Sequence, residues 1–241
     1  MKRMALFLLI FTLLGCSFHY YKSAAEIDIS AVKNLVIIKT TGIVENSQQK
    51  VEQVGIGIPL KDGYILSPTH VTKIPRVTMV STPFGCFSLD REIVDEHYFA
   101  DGQEIELIGR LYDISLFKGN VKKVFPYKFG DSNKLEIGSK ILLIGRSLNK
   151  SFNIKTGIVS MPESAPVDSD PFFRCFLSDN AVNPGDSGGP VLAYRNNQLE
   201  IVGIQIGKLS HSNFESEGMG VVFHINSVRL AIQKILGKEC F

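Results

Sequence analysis

The chain has 241 residues, 44% of them hydrophobic and 21% charged, and its 26 basic and 24 acidic side chains leave a formal net charge of +2. That is apolar material enough for one large core or two small ones. The two signs are interleaved rather than gathered into a basic stripe, which argues against a nucleic-acid-binding class.

Lys2 and Arg3 precede an apolar run from Met4 to Leu14, interrupted only by Thr12, the layout of an export signal and too short to span a bilayer comfortably. It ends in Leu13-Leu14-Gly15-Cys16, which resembles a bacterial lipobox: the small residue permits cleavage before an acylated cysteine, so residues 1–15 are read as a lipoprotein signal and Cys16 as the membrane anchor. A plain cleaved signal or an uncleaved anchor are the alternatives. Ser17 after the cysteine resembles lipoproteins sorted to the outer membrane, so the expected location is a bacterial envelope, lipid-anchored and facing the periplasm. A polar tether, 16–30, follows. Cys86, Cys175 and Cys240 are too few and odd in number for a disulfide framework. With no C-x-x-C and no histidine pair at ligand spacing, neither a metal nor another cofactor is expected.

From there the chain reads as short β-branched runs punctuated by Gly, Pro, Asn and Asp, an all-β barrel or sandwich pattern. Strands are expected at Asn34–Thr40, Val51–Ile58, Gly63–Leu66, Arg76–Ser81, Ile105–Leu111, Lys140–Ile144, Ile154–Ser160, Leu199–Ile206 and Met219–Ile225. A turn-rich connector, Gly119–Ile137, divides two halves of similar size, giving an N-terminal barrel over 31–125 and a C-terminal barrel over 126–225. The last stretch, 226–241, is expected to be a helix and a short tail. Asn226 or Ser227 can cap it, Val228, Ala231, Ile232, Ile235 and Leu236 share one face, and Gly237 can close it.

The sharpest chemical signal is Asn183-Pro184-Gly185-Asp186-Ser187-Gly188-Gly189-Pro190. A serine hydroxyl needs a general base beside it and donors aimed at the oxyanion formed on attack. Glycines here let the backbone N–H groups of Gly185 and Ser187 converge on one small hole; a glycine-rich hairpin with an incidental serine is the bland alternative. Of the five histidines, His70 stands apart, because Gly63–Val71 reads as a strand ending in a short turn that presents the imidazole. His19 lies in the tether, His97 and His211 in polar stretches, and His224 in an apolar strand that suits a structural role. An acid must fix the imidazole tautomer, and Asp113 begins an alternating strand, Asp113–Lys118, that can support one rigidly.

Taken in the order His, Asp, Ser, these segments resemble the trypsin-like serine proteases, and most closely the HtrA/Deg branch. Phe129-Gly130-Asp131-Ser132, Ile137-Gly138, Ile144-Gly145, Thr156–Ser160, Val202-Gly203-Ile204 and Gly218–Asn226 extend the similarity over roughly residues 31–236. The resemblance implies two six-stranded antiparallel barrels with His70, Asp113 and Ser187 in the cleft between them. It also implies an endopeptidase acting on protein or peptide substrates through an acyl-enzyme, and leaves a homo-oligomer open. A primary pocket is implied at Ala181, Val182, Asn183, Ile206, Gly207, Lys208 and Val222. Ala181 falls where trypsin carries its aspartate, so small or medium apolar side chains before the cut are expected, with Lys208 a weaker case for acidic ones.

Three departures matter. The family's peptide-binding PDZ domain is missing, so activation through it is not expected. The segment Val71–Tyr112 is long, and its Phe84–Gly102 portion is read as an added loop. Asp186 stands where the branch usually has asparagine, as in digestive enzymes whose carboxylate pairs with a newly freed amino terminus; here it is expected to be held by backbone N–H groups or a basic side chain, without such cleavage. Gly185-Asp186-Ser187-Gly188-Gly189 also fits the G-x-S-x-G of α/β-hydrolases, which requires a helix after the serine where Pro190–Ala193 reads as strand. A catalytically latent, protease-like binding or chaperone module is the remaining alternative.

Overall fold

The computed structural model describes residues 29–82, 85–90, 92–164, 173–195, 198–211 and 214–237. The export signal, Cys16, Cys240 and the side chain of Cys86 lie outside the described residues. A short helix, α1 (Ile29–Lys33), occupies the end of the expected tether and leads into β1 (Val36–Val44). Alternation along β1 places Val36, Ile38, Thr40, Gly42 and Val44 inward and Ile37, Lys39, Thr41 and Ile43 outward.

With β2 (Gln49–Pro59), β3 (Tyr64–Pro68), β6 (Ile93–Ala100), β7 (Gln103–Leu111) and β8 (Ile114–Lys118), β1 closes a six-stranded antiparallel barrel in the order β1-β2-β3-β8-β7-β6. Closure leaves no unpaired edge. Val36, Ile38, Ile65, Ala100, Ile105 and Phe117 fill its interior.

Between β3 and β6 lies a separate hairpin of β4 (Val77–Thr82) and β5 (Gly85–Asp90). This corrects the expectation of an added loop over Phe84–Gly102. Residues 85–90 belong to this hairpin, and residues 93–100 are a barrel strand paired with both β1 and β7. Exposed Asp95 and His97 with half-buried Glu96 between them, and a register shift opposite Thr41 and Ile43, disguise the strand in the sequence.

The second half contributes β9 (Lys128–Phe129), β10 (Lys140–Gly145), β11 (Asn153–Ser164), β12 (Cys175–Ser178), β13 (Pro190–Arg195), β14 (Gln198–His211) and β15 (Phe214–His224). Six of them close a second antiparallel ring, β13-β10-β11-β12-β15-β14, and β9 adds itself in parallel to the edge of β14. Its interior holds Ile141, Leu143, Val159, Phe176, Val191, Val202 and Val222.

The two barrels share the largest apolar cluster. Ile56, Ile58, Leu66, Ile114 and Leu116 of the first meet Ile144, Leu192, Ile204 and Phe223 of the second, with Val228, Ala231 and Ile232 of the terminal helix α2 (Ile225–Leu236). Strand β8 is therefore buried on both faces: Phe117 looks into its own barrel and Leu116 into the interface. The alternation expected after Asp113 is absent for that reason.

Helix α2 packs on β7 and β8 of one barrel and on β14 and β15 of the other. Gly237 ends it in a left-handed turn (φ 64°), as expected, but His224 is the residue before the first turn and no side chain caps it. Asn226 and Ser227 instead bind elsewhere: Asn226 Nδ2 donates to Asp131 Oδ1 at 2.9 Å, and Ser227 Oγ accepts the Arg174 N–H at 3.1 Å.

Candidate active site

His70 sits in a single 3-10 turn, Thr69–Val71, at the end of β3, and Asp113 immediately precedes β8. The pairing of Pro68 with Ile114 brings the two residues together. Asp113 then binds His70 twice: Oδ1 accepts the backbone N–H at 2.6 Å, and Oδ2 lies 2.5 Å from Nδ1. The Asp113 carbonyl also accepts the Thr69 N–H at 2.9 Å. Below the turn, Thr69 Oγ1 and Thr72 Oγ1 both meet buried Ser115 Oγ, at 2.9 and 3.1 Å. Tyr112, just before the aspartate, adopts φ 52°, a conformation costing about 1–2 kcal/mol for a residue with a side chain. Its ring stacks on Phe173 at 4.4 Å, and Phe173 meets Phe223 of β15 edge-on at 4.3 Å, so the strained turn is braced against the second barrel.

The imidazole of His70 is 40% exposed and its carboxylate partner 24%. The remaining ring nitrogen is thus free of the pair. The other described histidines differ. His97 is an exposed imidazole between Glu104 (3.2 Å) and Asp95 (3.0 Å), whose hydrogen bonds and charge raise its pKa. His224 is buried, donates from Nε2 to the Pro162 carbonyl at 2.8 Å, and has its pKa lowered by that burial.

Ser187 lies on the tight turn before β13, and its Oγ donates to the Ile206 carbonyl at 3.2 Å. Among the described residues no hydrogen bond joins it to His70. The two loops nevertheless meet at Ile56: Ser67, three residues before His70, donates through Oγ to the Ile56 carbonyl at 2.8 Å, and Gly188 packs on that same carbonyl. Gly188 has φ +90°, and a Cβ there would collide with the Ile56 oxygen, so both the conformation and the close approach demand glycine. Gly185 likewise has φ +94°.

The carbonyl of Pro184 accepts the Leu148 N–H at 2.6 Å. Because the peptide is planar and trans, the Gly185 N–H points the opposite way, away from Leu148. The expectation for Asp186 meets both of its anticipated partners. The carboxylate is wholly buried and accepts the Asn183 N–H at 2.7 Å and the Lys155 ammonium at 2.5 Å.

Of the residues expected in the pocket, Ala181, Asn183 and Lys208 are exposed, and Val182, Ile206 and Gly207 are half-buried. Val222 departs from expectation. It is fully buried in the core of the second barrel, where Phe176 and Val191 surround it, because alternation on β15 turns its side chain inward. Gly220, two residues earlier, is what faces Val182: a Cβ there would lie 2.9 Å from Val182 Cγ2, 2.7 Å from Ser178 Oγ and 3.1 Å from Gln205 Oε1.

Those two polar atoms are buried and make no hydrogen bond within the described residues. Ser178 and Gln205 were not singled out in the sequence, where Ser178 directly follows the apolar Cys175–Leu177 and Gln205 stands between Ile204 and Ile206. That isolation was the available signal. Asp179 is turned away, accepting the Ile158 N–H at 2.6 Å.

Residues 55–204 match the family model of the trypsin-like peptidase domain, and the chain belongs to that family. It is 26% identical over 227 residues to a "Serine protease HtrA-like" of Staphylococcus epidermidis, covering 86% of this chain and 36% of that protein. To a "Probable periplasmic serine endoprotease DegP-like" of Pseudomonas putida it is 30% identical over 162 residues, covering 65% of this chain and 30% of the other. Against the solved structure of "HtrA-type protease AlgW with tripeptide", it superposes with a TM-score of 0.59 at 21% identity, covering 87% of this chain and 62% of that one. The chain spans about a third of the length of these curated relatives. The two-barrel fold is theirs, and the strand β13 directly after Ser187 excludes the α/β-hydrolase alternative.

Proposed function

We propose that the chain is a serine endopeptidase in which Ser187 is the nucleophile, His70 the general base and acid, and Asp113 the group that fixes the imidazole. The observation that carries this is the pair of hydrogen bonds from His70 to Asp113, beside a loop in which Gly188, next to Ser187, packs on the Ile56 carbonyl that Ser67 of the strand presenting His70 also binds. Asp113 accepts a hydrogen bond from Nδ1–H and so fixes the tautomer in which Nε2 is left as the base. Ser187 attacks the substrate carbonyl, His70 accepts its proton and returns it to the leaving amine, and water releases the acyl group. The N–H groups of Gly185 and Ser187 are the proposed oxyanion donors, a role supported by the anchored Pro184 carbonyl. Hydrogen bonds between catalytic groups are commonly loose in an unliganded site, and substrate entry is expected to turn Ser187 Oγ from Ile206 toward His70.

Specificity follows from the pocket. Ala181, Val182, Ser178 and Gln205 offer no carboxylate, so a buried Lys or Arg side chain would lack a counter-charge. Small or medium uncharged side chains fit best. Location is proposed from the leader and from relatives named as periplasmic: export to a bacterial envelope with Cys16 as lipid anchor.

A latent, protease-like binding module is the second reading, and the Ser187–Ile206 hydrogen bond is the observation in its favour. Labelling with a fluorophosphonate decides between them. The proposed enzyme reacts at Ser187, and Ser187→Ala abolishes labelling and lowers turnover by on the order of 10⁶. An unmodified, folded chain that takes no label ends the enzymatic proposal.

A further inference from the structure

Asp186 is one residue from the proposed nucleophile and wholly buried. A carboxylate in such a place is costly unless its charge is matched and its lone pairs are filled. The match comes from Lys155 on β11, whose side chain is only 17% exposed and whose Nζ lies 2.5 Å from Asp186 Oδ2. The same ammonium donates to the Ala181 carbonyl at 2.6 Å. Oδ2 also takes the Asn183 N–H at 2.7 Å, and Oδ1 takes the Ser147 hydroxyl at 2.9 Å, with Ser147 itself held by Asn153 Nδ2 at 3.1 Å.

All but the Asn153–Ser147 bond end on the loop that must keep its shape for catalysis. Ala181 and Asn183 belong to the proposed pocket wall, and residues 185–187 carry the proposed oxyanion donors. Lys155 and Asn153 come from one strand of the second barrel, a rigid support. There is no slack behind the carboxylate either, since a Cβ on Gly145 would collide with Asp186 Oδ1.

Taken together, the geometry points to Lys155 as a positioning residue. It is a resident counter-cation that holds Asp186, and through it the 181–187 loop, in the shape that presents the Gly185 and Ser187 N–H groups. The matching charge is built into the barrel, so the loop needs no amine freed by cleavage elsewhere in the chain. This inference deepens the peptidase proposal and rests on it for its effect on turnover.

The test compares Lys155→Met, Asp186→Asn and the double variant in the full chain. It reads kcat and KM separately, and hydrogen exchange in the peptide spanning 181–189. Lys155→Met is expected to lower kcat by about 10²–10³-fold, the loss that follows removal of one oxyanion donor. KM should stay nearly constant, while exchange quickens in that peptide and not in the barrel strands. The double variant is expected to recover most of the lost kcat and the protection. An amide at position 186 can accept the Asn183 N–H through its oxygen and donate through its NH₂ to the Ser147 oxygen, and it carries no charge to be matched. If Lys155→Met does not fold, the double variant carries the test alone and must fold and turn over.

Unchanged kcat and exchange in a folded Lys155→Met variant overturn the inference. So does a double variant that folds yet stays as slow as the single. Exchange does not depend on turnover: an inert chain whose loop loosens and tightens as described supports the clamp while refuting the peptidase, and an active chain indifferent to Lys155 does the reverse.

Discussion

Asp113 holds His70 by two different atoms: its Oδ1 takes the histidine's backbone N–H at 2.6 Å, while its Oδ2 lies 2.5 Å from Nδ1. The turn and the ring are therefore fixed by one carboxylate. In Asp113→Asn the amide oxygen can still hold the backbone, but the NH₂ group then faces Nδ1, which becomes an acceptor and leaves Nε2 protonated. The expected result is a kcat lower by about 10⁴ with a normal fold and little change in KM. Steady-state kinetics with circular dichroism checks this, and a loss under tenfold removes Asp113 from the mechanism.

Gly188 is the point at which the second barrel presses on the first. Gly188→Ala combines a disfavoured φ of +90° with a collision at the Ile56 carbonyl, for a cost of about 2 kcal/mol or more. For a chain of this size that lowers Tm by at least about 4–8 °C. The shift moves Ser187 relative to His70, so kcat falls as well. A variant with unchanged Tm and kcat contradicts the contact.

How much was readable beforehand follows from where each residue's constraint lies. Asn183–Pro190 announced itself because its chemistry is local, and Val228, Ala231 and Ile232 were legible because one helix face is a periodic pattern. Strand β6 was hidden by Asp95 and His97, which are polar because the barrel's outside is wet, and by Glu96 between them. The non-alternating β8 needed knowledge of the second barrel behind Leu116. Lys155 is 31 residues from Asp186, and nothing in its own surroundings marks it as a partner. Val222 was assigned to the pocket by resemblance, and only the register of β15 shows it turned into the core.

The pocket predicts a residue preference. Peptide libraries should be cut after small or medium uncharged side chains, and Gln205→Leu should shift that preference toward more apolar ones by about tenfold. The shift reflects removal of the buried, unpaired amide oxygen beside Gly220; the bonds from Gln205 Nε2 to the Gly207 and Val221 carbonyls are lost with it. Strong cleavage after Lys or Arg overturns the assignment of the wall.

Cys175 is a buried free thiol in the interface cluster, and burial, reinforced by the negative charge of Asp113, pushes its pKa up to about 12. The thiolate is the reactive form. Peptide mapping after iodoacetamide treatment at pH 8 should find Cys175 unmodified in the native chain and alkylated in denaturant. Rapid native labelling would show that the interface opens.

His224 predicts how stability responds to acid. Burial holds its folded pKa below the ordinary 6.5; nearby Arg174 adds to that depression, while the bond to Pro162 and the charge of Glu163 oppose it. Between the folded value and 6.5, the unfolded chain binds more protons. The neutral ring's contribution is therefore fully present above pH 6.5 and is lost as pH falls through the folded value. His97 works the other way: its raised pKa stabilises below 6.5, and that help fades as pH rises through its folded value. His224→Gln can keep a donor toward the Pro162 carbonyl without a titrating ring. Its Tm should lie below that of the unmodified chain at pH 8, and the gap should narrow as the pH approaches 5. Parallel melting curves across that range would show that His224 does not charge on unfolding.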